Sequence, residues 1–185
     1  KLGCTKAVSF DVTAACSGFL FALHVADKFI KSGANKTVLV AAGEIMTRVV
    51  NWKERESCIL WGDGAGAAVV TESENGAQIL STHIHTDGAA GDTLLMPGGG
   101  SKTTPISYES VDNGLHYLKM IEANRSFKVA VNRFAEACEE AASVNGYTVH
   151  DADVIIPHQA NLRILQGMAK KLGVPLEKVY MTIEK

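Results

Sequence analysis

The sequence predicts an α/β fold with two related halves, and two observations carry that reading. A strand-helix-strand order occurs early and recurs late. The helical segments show apolar residues at 3.6-residue spacing, while the strand segments are short apolar runs. The early unit opens with Ala7 to Val12, which has strand character. It passes through the short turn Thr13-Ala14-Ala15 and enters a helix over Ser17 to Lys31. That helix sets Phe19, Leu20, Leu23, Ala26 and Ile30 on one stripe and turns Asp27, Lys28 and Lys31 away. Ser32-Gly33 stops it. Thr37 to Gly43 follows as a buried strand, parallel to the first as a strand-helix-strand crossover requires. Residues 45 to 56 are polar and irregular. Ser57 to Trp61 then leads into Gly62 to Gly66, read as a tight turn that Asp63 caps and whose glycines permit close backbone packing. Ala67 to Thr71 returns as a strand, and Glu72 to Gly76 turns.

Gln78 to His85 opens a second region, followed by the glycine-rich stretch Gly88 to Gly100, which reads as loop. A helix is expected from Asn124 to Ala142, with Phe127, Val131, Phe134, Ala135 and Cys138 on one stripe. Next come a strand ending at Pro157 and a helix from Asn161 to Leu172 that Gly173 ends. The chain starts at Lys1 and stops after Val179 to Ile183, which has strand character, so it is read as an excerpt of a longer polypeptide.

With 185 residues, 46% hydrophobic and 21% charged, the chain can bury a sizeable core and reads as soluble and globular. A net charge of −2 offers no broad basic surface for nucleic acid or an anionic membrane. Cys4, Cys16, Cys58 and Cys138 form no CxxC or zinc-type spacing, which suits free thiols in a reducing compartment. No apolar run reaches the length of a membrane span and no signal-peptide pattern opens the chain, so a cytoplasmic protein is expected.

Cys16 is the first candidate for chemistry, because it stands where an apolar strand gives way to a helix. There unpaired helix N–H groups and the positive end of the macrodipole favour thiolate over thiol. The same run, Ala14-Ala15-Cys16-Ser17-Gly18-Phe19, also suits a small buried hydrophobe. His158 is its candidate partner, in Val154 to Asn161, again between a strand and a helix, with Pro157 disfavouring helix at Ile156. Taken alone, His158 also fits a hydrogen-bonded structural histidine. Gly62-x-Gly64-x-Gly66 precedes a strand and so is not a dinucleotide fingerprint. His83, His85 and Asp87 alternate as if on one strand face, but without an evident fourth ligand they read as an exposed polar face and not a metal set. Arg48, Lys53 and Arg55 suit either a phosphate or solvent. Pro97 to Lys102 lacks phosphate-loop spacing and reads as flexible linker.

Three segments together change this picture: Asp11-Val12-Thr13-Ala14-Ala15-Cys16-Ser17-Gly18-Phe19, Gly62-Asp63-Gly64-Ala65-Gly66-Ala67-Ala68-Val69, and Pro157-His158-Gln159-Ala160-Asn161-Leu162-Arg163-Ile164. They closely resemble the β-ketoacyl-[acyl-carrier-protein] synthase III family of initiating condensing enzymes in fatty acid synthesis. The resemblance implies a thiolase-like, five-layer αβαβα fold, incomplete at both ends here. Residues 1–75 would be the later part of the N-terminal half, with the nucleophile, and 76–185 the earlier part of the C-terminal half, with the histidine. It also implies an obligate homodimer and a Cys-His-Asn catalytic set. Cys16 matches the nucleophile and His158 the histidine, whereas the family's asparagine and oxyanion glycine are expected beyond Lys185. Asn161 belongs to the histidine motif and does not replace that asparagine.

By the same resemblance Arg55 matches an arginine at the coenzyme A moiety, Trp61 a bulky residue by the entrance, Asn124 a tunnel asparagine, and Arg163 a basic residue near the carrier-protein approach. The loop over 88–110 looks longer than is usual for the family. The implied reaction condenses a short acyl-CoA with malonyl-[acyl-carrier protein] through an acyl-Cys16 intermediate, with no metal or other cofactor. Coenzyme A enters only as the substrate thioester. A polyketide starter or alkylquinolone-type condensing enzyme would keep Cys16 and His158 and change a substrate. A non-catalytic partner subunit would have no chemical need of either residue.

Overall fold

The computed structural model describes residues 2–73, 75–100 and 104–183. It mixes helices and strands, as expected of the α/β class: α1 (Gly18–Lys31), β1 (Thr37–Glu44), α2 (Arg55–Cys58), β2 (Gly64–Thr71), β3 (Leu94–Leu95), α3 (Tyr108–Asp112), β4 (Lys119–Met120), α4 (Ala123–Val144) and α5 (Leu162–Leu172). Two compact units result, one of Lys1–Ala42 with Gly66–Ile84, the other of Gly43–Ala65 with His85–Lys185.

In the first unit, α1 ends as expected, with Gly33 in the left-handed region at φ +73° just past Ser32. Phe19, Leu23, Ala26 and Ile30 of its expected apolar stripe are covered, with two departures. Leu20 is 61% exposed, whereas Asp27 is only 4% exposed. The buried carboxylate is tolerated because Lys28 and Lys31 reach it at 3.0 and 2.8 Å. Burial pushes its pKa up, and the hydrogen bonds and charges of Lys31 and Lys28 more than reverse that, leaving it below the ordinary value. Thr82 Oγ1 and His24 Nδ1 share a 2.8 Å hydrogen bond that ties the 77–84 segment to α1.

β1 and β2 pair with each other. Lys36 accepts from Glu72 N and Thr71 Oγ1 at one end. At the other, a Cβ on Gly43 would lie 3.8 Å from that of Ala65, so the two strands run antiparallel. Val40 is buried, but Leu39 on the opposite face is exposed, so β1 is covered on one side and not on both. Ala7 to Val12, and the residues around His83, His85 and Asp87 that alternate as on a strand face, form no strand with the described residues, contrary to expectation. Apolar and alternating patterns indicate which residues suit a strand, but a strand also needs a partner ladder.

The second unit is built on α4 and α5. Ala135 of α4 packs with Leu165, Met168, Ala169 and Leu172 of α5 and with Val174 and Val179, while Phe134 and Cys138 extend the same core. Gly167 lets the helices approach: a Cβ there would lie 3.0 Å from Val131 Cγ2. Gly173, at φ +67°, ends α5, and the Asn161 side chain caps its start by accepting from Ile164 N at 3.0 Å. Both ends thus follow the sequence reading closely. The strand expected up to Pro157 is reduced to a parallel bridge between Ile155 and Val179.

The glycine-rich stretch is more ordered than a loop reading allows. β3 pairs antiparallel with β4, and Gly98 N donates to Leu115 O at 2.6 Å, where a Cβ would meet the Leu115 backbone at 3.0 Å. Pro97 to Gly100 is therefore anchored, which corrects the linker reading; Ser101 and Lys102 lie outside the described residues. Leu165 is fully buried at the centre of this core. Leu165→Ala should lower unfolding stability by about 2–5 kcal/mol. A chemical denaturation curve of the full-length protein checks this.

Candidate active site

Cys16 lies in the first unit, within a single 3-10 turn (Ala15–Ser17) placed between the segment Ala7 to Val12 and α1. The α-helix starts at Gly18, one residue later than expected, with Ser17 as its N-cap, and Ala15 at the head of the 3-10 turn takes a left-handed φ of +46°. A side chain in that region costs of order 1–3 kcal/mol and is found where neighbouring structure forces it. Cys16 follows Ala15 directly, at the head of the helix, and is exposed among the described residues. The turn is closed by Ser17 N donating to Ala14 O and Gly18 N to Ala15 O, so its bonds do not consume the Cys16 N–H.

The remaining candidates lie in the second unit. His158 is exposed, on the connection between the Ile155 bridge and α5. Protein atoms around its ring nevertheless take water from it and lower its pKa below the ordinary 6.5, which favours neutral imidazole. Neutral imidazole keeps one N–H donor and one acceptor nitrogen. Arg163 is exposed in the first turn of α5. A cation there opposes the helix dipole, so helix stability does not account for it.

Arg55 begins α2, and Asn124 lies one residue into α4; both are exposed. Their chain neighbours Glu54, Glu56, Ser57, Ile121 and Ala123 line a cavity of about 300 Å³ together with Lys119 and Met120. Trp61 is half-buried just ahead of β2.

The motif Gly62-Asp63-Gly64-Ala65-Gly66 is not the self-capped tight turn that its composition suggests. Gly64 and Gly66 lie within β2, and none of its glycines has a positive φ. Asp63 instead reaches back to the loop after β1, accepting from Thr47 N at 2.9 Å and Thr47 Oγ1 at 2.7 Å. Those bonds hold its carboxyl below the usual range. Trp52 donates its indole N–H to Thr47 O, so residues 47–63 are cross-tied rather than irregular.

The alternating acidic and histidine residues are dispersed among separate partners. His83 Nε2 bonds Ser81 Oγ, His85 Nε2 pairs with Glu140, and Asp87 pairs with Arg133. Among the described residues no group of three His, Cys, Asp or Glu side chains could hold a metal ion. Also among them, no helix is long and apolar enough to cross a membrane.

Gln159 is a residue that sequence reasoning missed. Its Nε2 donates to Pro157 O and to Tyr180 O, each at 3.0 Å. Its Oε1 accepts from Thr182 N at 2.9 Å and from Thr182 Oγ1 at 3.3 Å. A primary amide beside a candidate histidine was the available signal. The partners Tyr180 and Thr182, more than twenty positions away, are not legible in the sequence.

Residues 10–88 match the family model for 3-oxoacyl-[acyl-carrier-protein] synthase III, and residues 142–185 match the model for its C-terminal part. Over all 185 residues the chain is 45% identical to β-ketoacyl-[acyl-carrier-protein] synthase III of Xanthomonas campestris pv. campestris strain 8004, of which it spans 55%. The chain thus spans about half the length of the curated relatives it matches. The crystal structure of 3-oxoacyl-[acyl-carrier-protein] synthase III from Aquifex aeolicus VF5 superposes with a TM-score of 0.84 at 40% identity, covering 98% of this chain and 53% of that one. The priming β-ketosynthase of the R1128 polyketide pathway superposes at 0.75 with 36% identity, covering 97% and 52%. The two family matches, together with relatives and solved structures that cover 97% or more of the chain, fix the fold class as thiolase-like α/β and place the chain in the 3-oxoacyl-[acyl-carrier-protein] synthase III family.

Proposed function

We propose that the protein performs the initiating condensation of fatty acid synthesis, joining a short acyl-CoA to malonyl-[acyl-carrier protein]. The observation that carries this reading is the 45% identity to a β-ketoacyl-[acyl-carrier-protein] synthase III across the whole chain. Residues 1–75 supply the nucleophile's half and 76–185 the histidine's half.

The Cys16 thiolate attacks the acyl-CoA carbonyl, its own N–H donating to the oxyanion, and coenzyme A leaves as its thiolate. Malonyl-carrier protein then loses its terminal carboxylate as carbon dioxide. The electron pair of that C–C bond passes into an enolate of the thioester, whose oxygen accepts from the N–H of neutral His158. The enolate carbon attacks acyl-Cys16, and the Cys16 thiolate departs, leaving 3-oxoacyl-carrier protein. The released electron pair makes the new bond, so the steps call on no redox cofactor and no metal. Arg55, Trp61 and Asn124 contact the coenzyme A ester and its channel. The enzyme acts as a homodimer in the cytoplasm.

The 36% identity to a polyketide priming ketosynthase favours one second reading, a starter enzyme with the same two residues and another acyl donor. Supplying the full-length protein with malonyl-carrier protein and a panel of acyl-CoAs tests both. Carbon dioxide and 3-oxoacyl-carrier protein formed from short donors support fatty acid initiation. Turnover only with unusual starters supports the second reading, and none with any donor would leave a non-catalytic subunit.

Arg163→Ala should raise the Michaelis constant for malonyl-carrier protein at low ionic strength and leave Cys16 acylation unchanged, because carrier proteins are acidic and Arg163 is an exposed cation near His158. The difference should shrink as salt rises. Steady-state kinetics at two salt concentrations check it, and an unchanged constant at low salt refutes the assignment.

A further inference from the structure

We infer that Gln159 is a positioning residue for His158: its amide clamps the loop that carries the imidazole to the segment around Thr182. The inference rests on the proposed role of His158 in condensation. Both N–H groups of the amide donate, to Pro157 O and Tyr180 O, and its oxygen takes two bonds from Thr182, so every donor and acceptor site of the group is engaged. One of these bonds returns to the residue before His158, while the others cross to 180–182. The loop is thereby fixed on both sides of the imidazole.

The flanking anchors work in the same direction. Upstream, Ile155 N donates to Lys178 O at 2.7 Å and Tyr180 N to Ile155 O at 2.8 Å. Downstream, Asn161 starts α5 with its side-chain cap. Between these anchors the span Ile156 to Ala160 has no ladder of its own, and the Gln159 amide supplies the missing ties. Only a primary amide of this length meets two carbonyl oxygens and an N–H together. A carboxylate of the same shape would set negative oxygen against the Pro157 and Tyr180 carbonyls.

The test uses Gln159→Glu and Gln159→Ala in the full-length protein, with the two half-reactions timed separately. Displacing a reacting group by a fraction of an ångström to an ångström costs rate, and both variants should lower condensation kcat by about ten- to a hundredfold. The Michaelis constant for malonyl-carrier protein and the rate of Cys16 acylation should stay within about twofold, a split that general damage to the fold would not give. The His158 ring resonance should move in both variants.

Condensation within about twofold of wild type in folded Gln159→Glu, or a parallel loss of acylation, overturns the inference. Should Gln159→Ala fail to fold, the near-isosteric Gln159→Glu decides alone. If His158→Ala leaves condensation intact, the role of His158 fails separately. The His158 resonance in Gln159→Glu then decides the clamp, and an unmoved signal refutes it.

Discussion

Cys16→Ser in the full-length protein should lower condensation from acyl-CoA by at least about a thousandfold, the scale set by removing a nucleophile from a concerted catalytic group. Serine keeps the size of the side chain, but its hydroxyl stays protonated at neutral pH and its alkoxide is a poor leaving group when the enolate attacks. The other thiols lack the setting. Cys58 is buried, and Cys138 belongs to the α4–α5 core, where burial pushes its pKa up. Cys4 is exposed but precedes any helix by more than ten residues. Serine at Cys4 or Cys58 should therefore leave turnover near wild type, and steady-state assays of the single variants check the contrast.

His158→Ala should lower condensation by about 10²–10³-fold, the loss expected when one donor to a developing oxyanion is removed. Acylation of Cys16 should change far less, since the proposed part of His158 is to donate to the enolate oxygen of the second step. Single-turnover measurements of each half-reaction separate the two, and equal losses would mean that His158 chiefly activates Cys16. The lowered His158 pKa adds a pH dependence. A charged ring would stabilise the malonyl carboxylate that must leave, so activity requires the neutral form. Condensation should hold its plateau below the ordinary histidine pKa of 6.5 and decline only at lower pH, as the ring takes its proton. The same depression makes the unfolded chain bind more protons below 6.5, so stability from this group is full above that pH and falls as pH falls through the folded pKa.

How far these sites could be read from sequence depended on how local their determinants are. The helix after Cys16, the α4 stripe and the extent of α5 follow from spacing and a C-terminal Gly, all set within a few residues, and Asn161 at the expected start of α5 is its cap. The strands were harder. Ala7 to Val12 and Gln78 to His85 have the right side chains but no ladder partner among the described residues. Leu94-Leu95 pairs with Lys119-Met120 across a stretch whose glycines read as loop. Asp27 reads as solvent-facing from its charge, yet it is buried and paired with Lys28 and Lys31. At the site, Cys16 and His158 were legible as residues at helix entries. The left-handed Ala15 just before Cys16 and the Gln159 bonds to residues 180 and 182 are visible only in three dimensions. The composition around Asp63 suggests a cap on its own turn, whereas its contact with Thr47 spans sixteen positions and is not legible locally.

Peptide mapping by mass spectrometry, after the full-length protein meets acetyl-CoA without malonyl-carrier protein, tests most directly whether Cys16 carries the acyl group. One acetyl group per chain on the peptide containing Cys16, released when malonyl-carrier protein is added, is the expected result. An acetyl group on Cys4, Cys58 or Cys138 with Cys16 unmodified would contradict it.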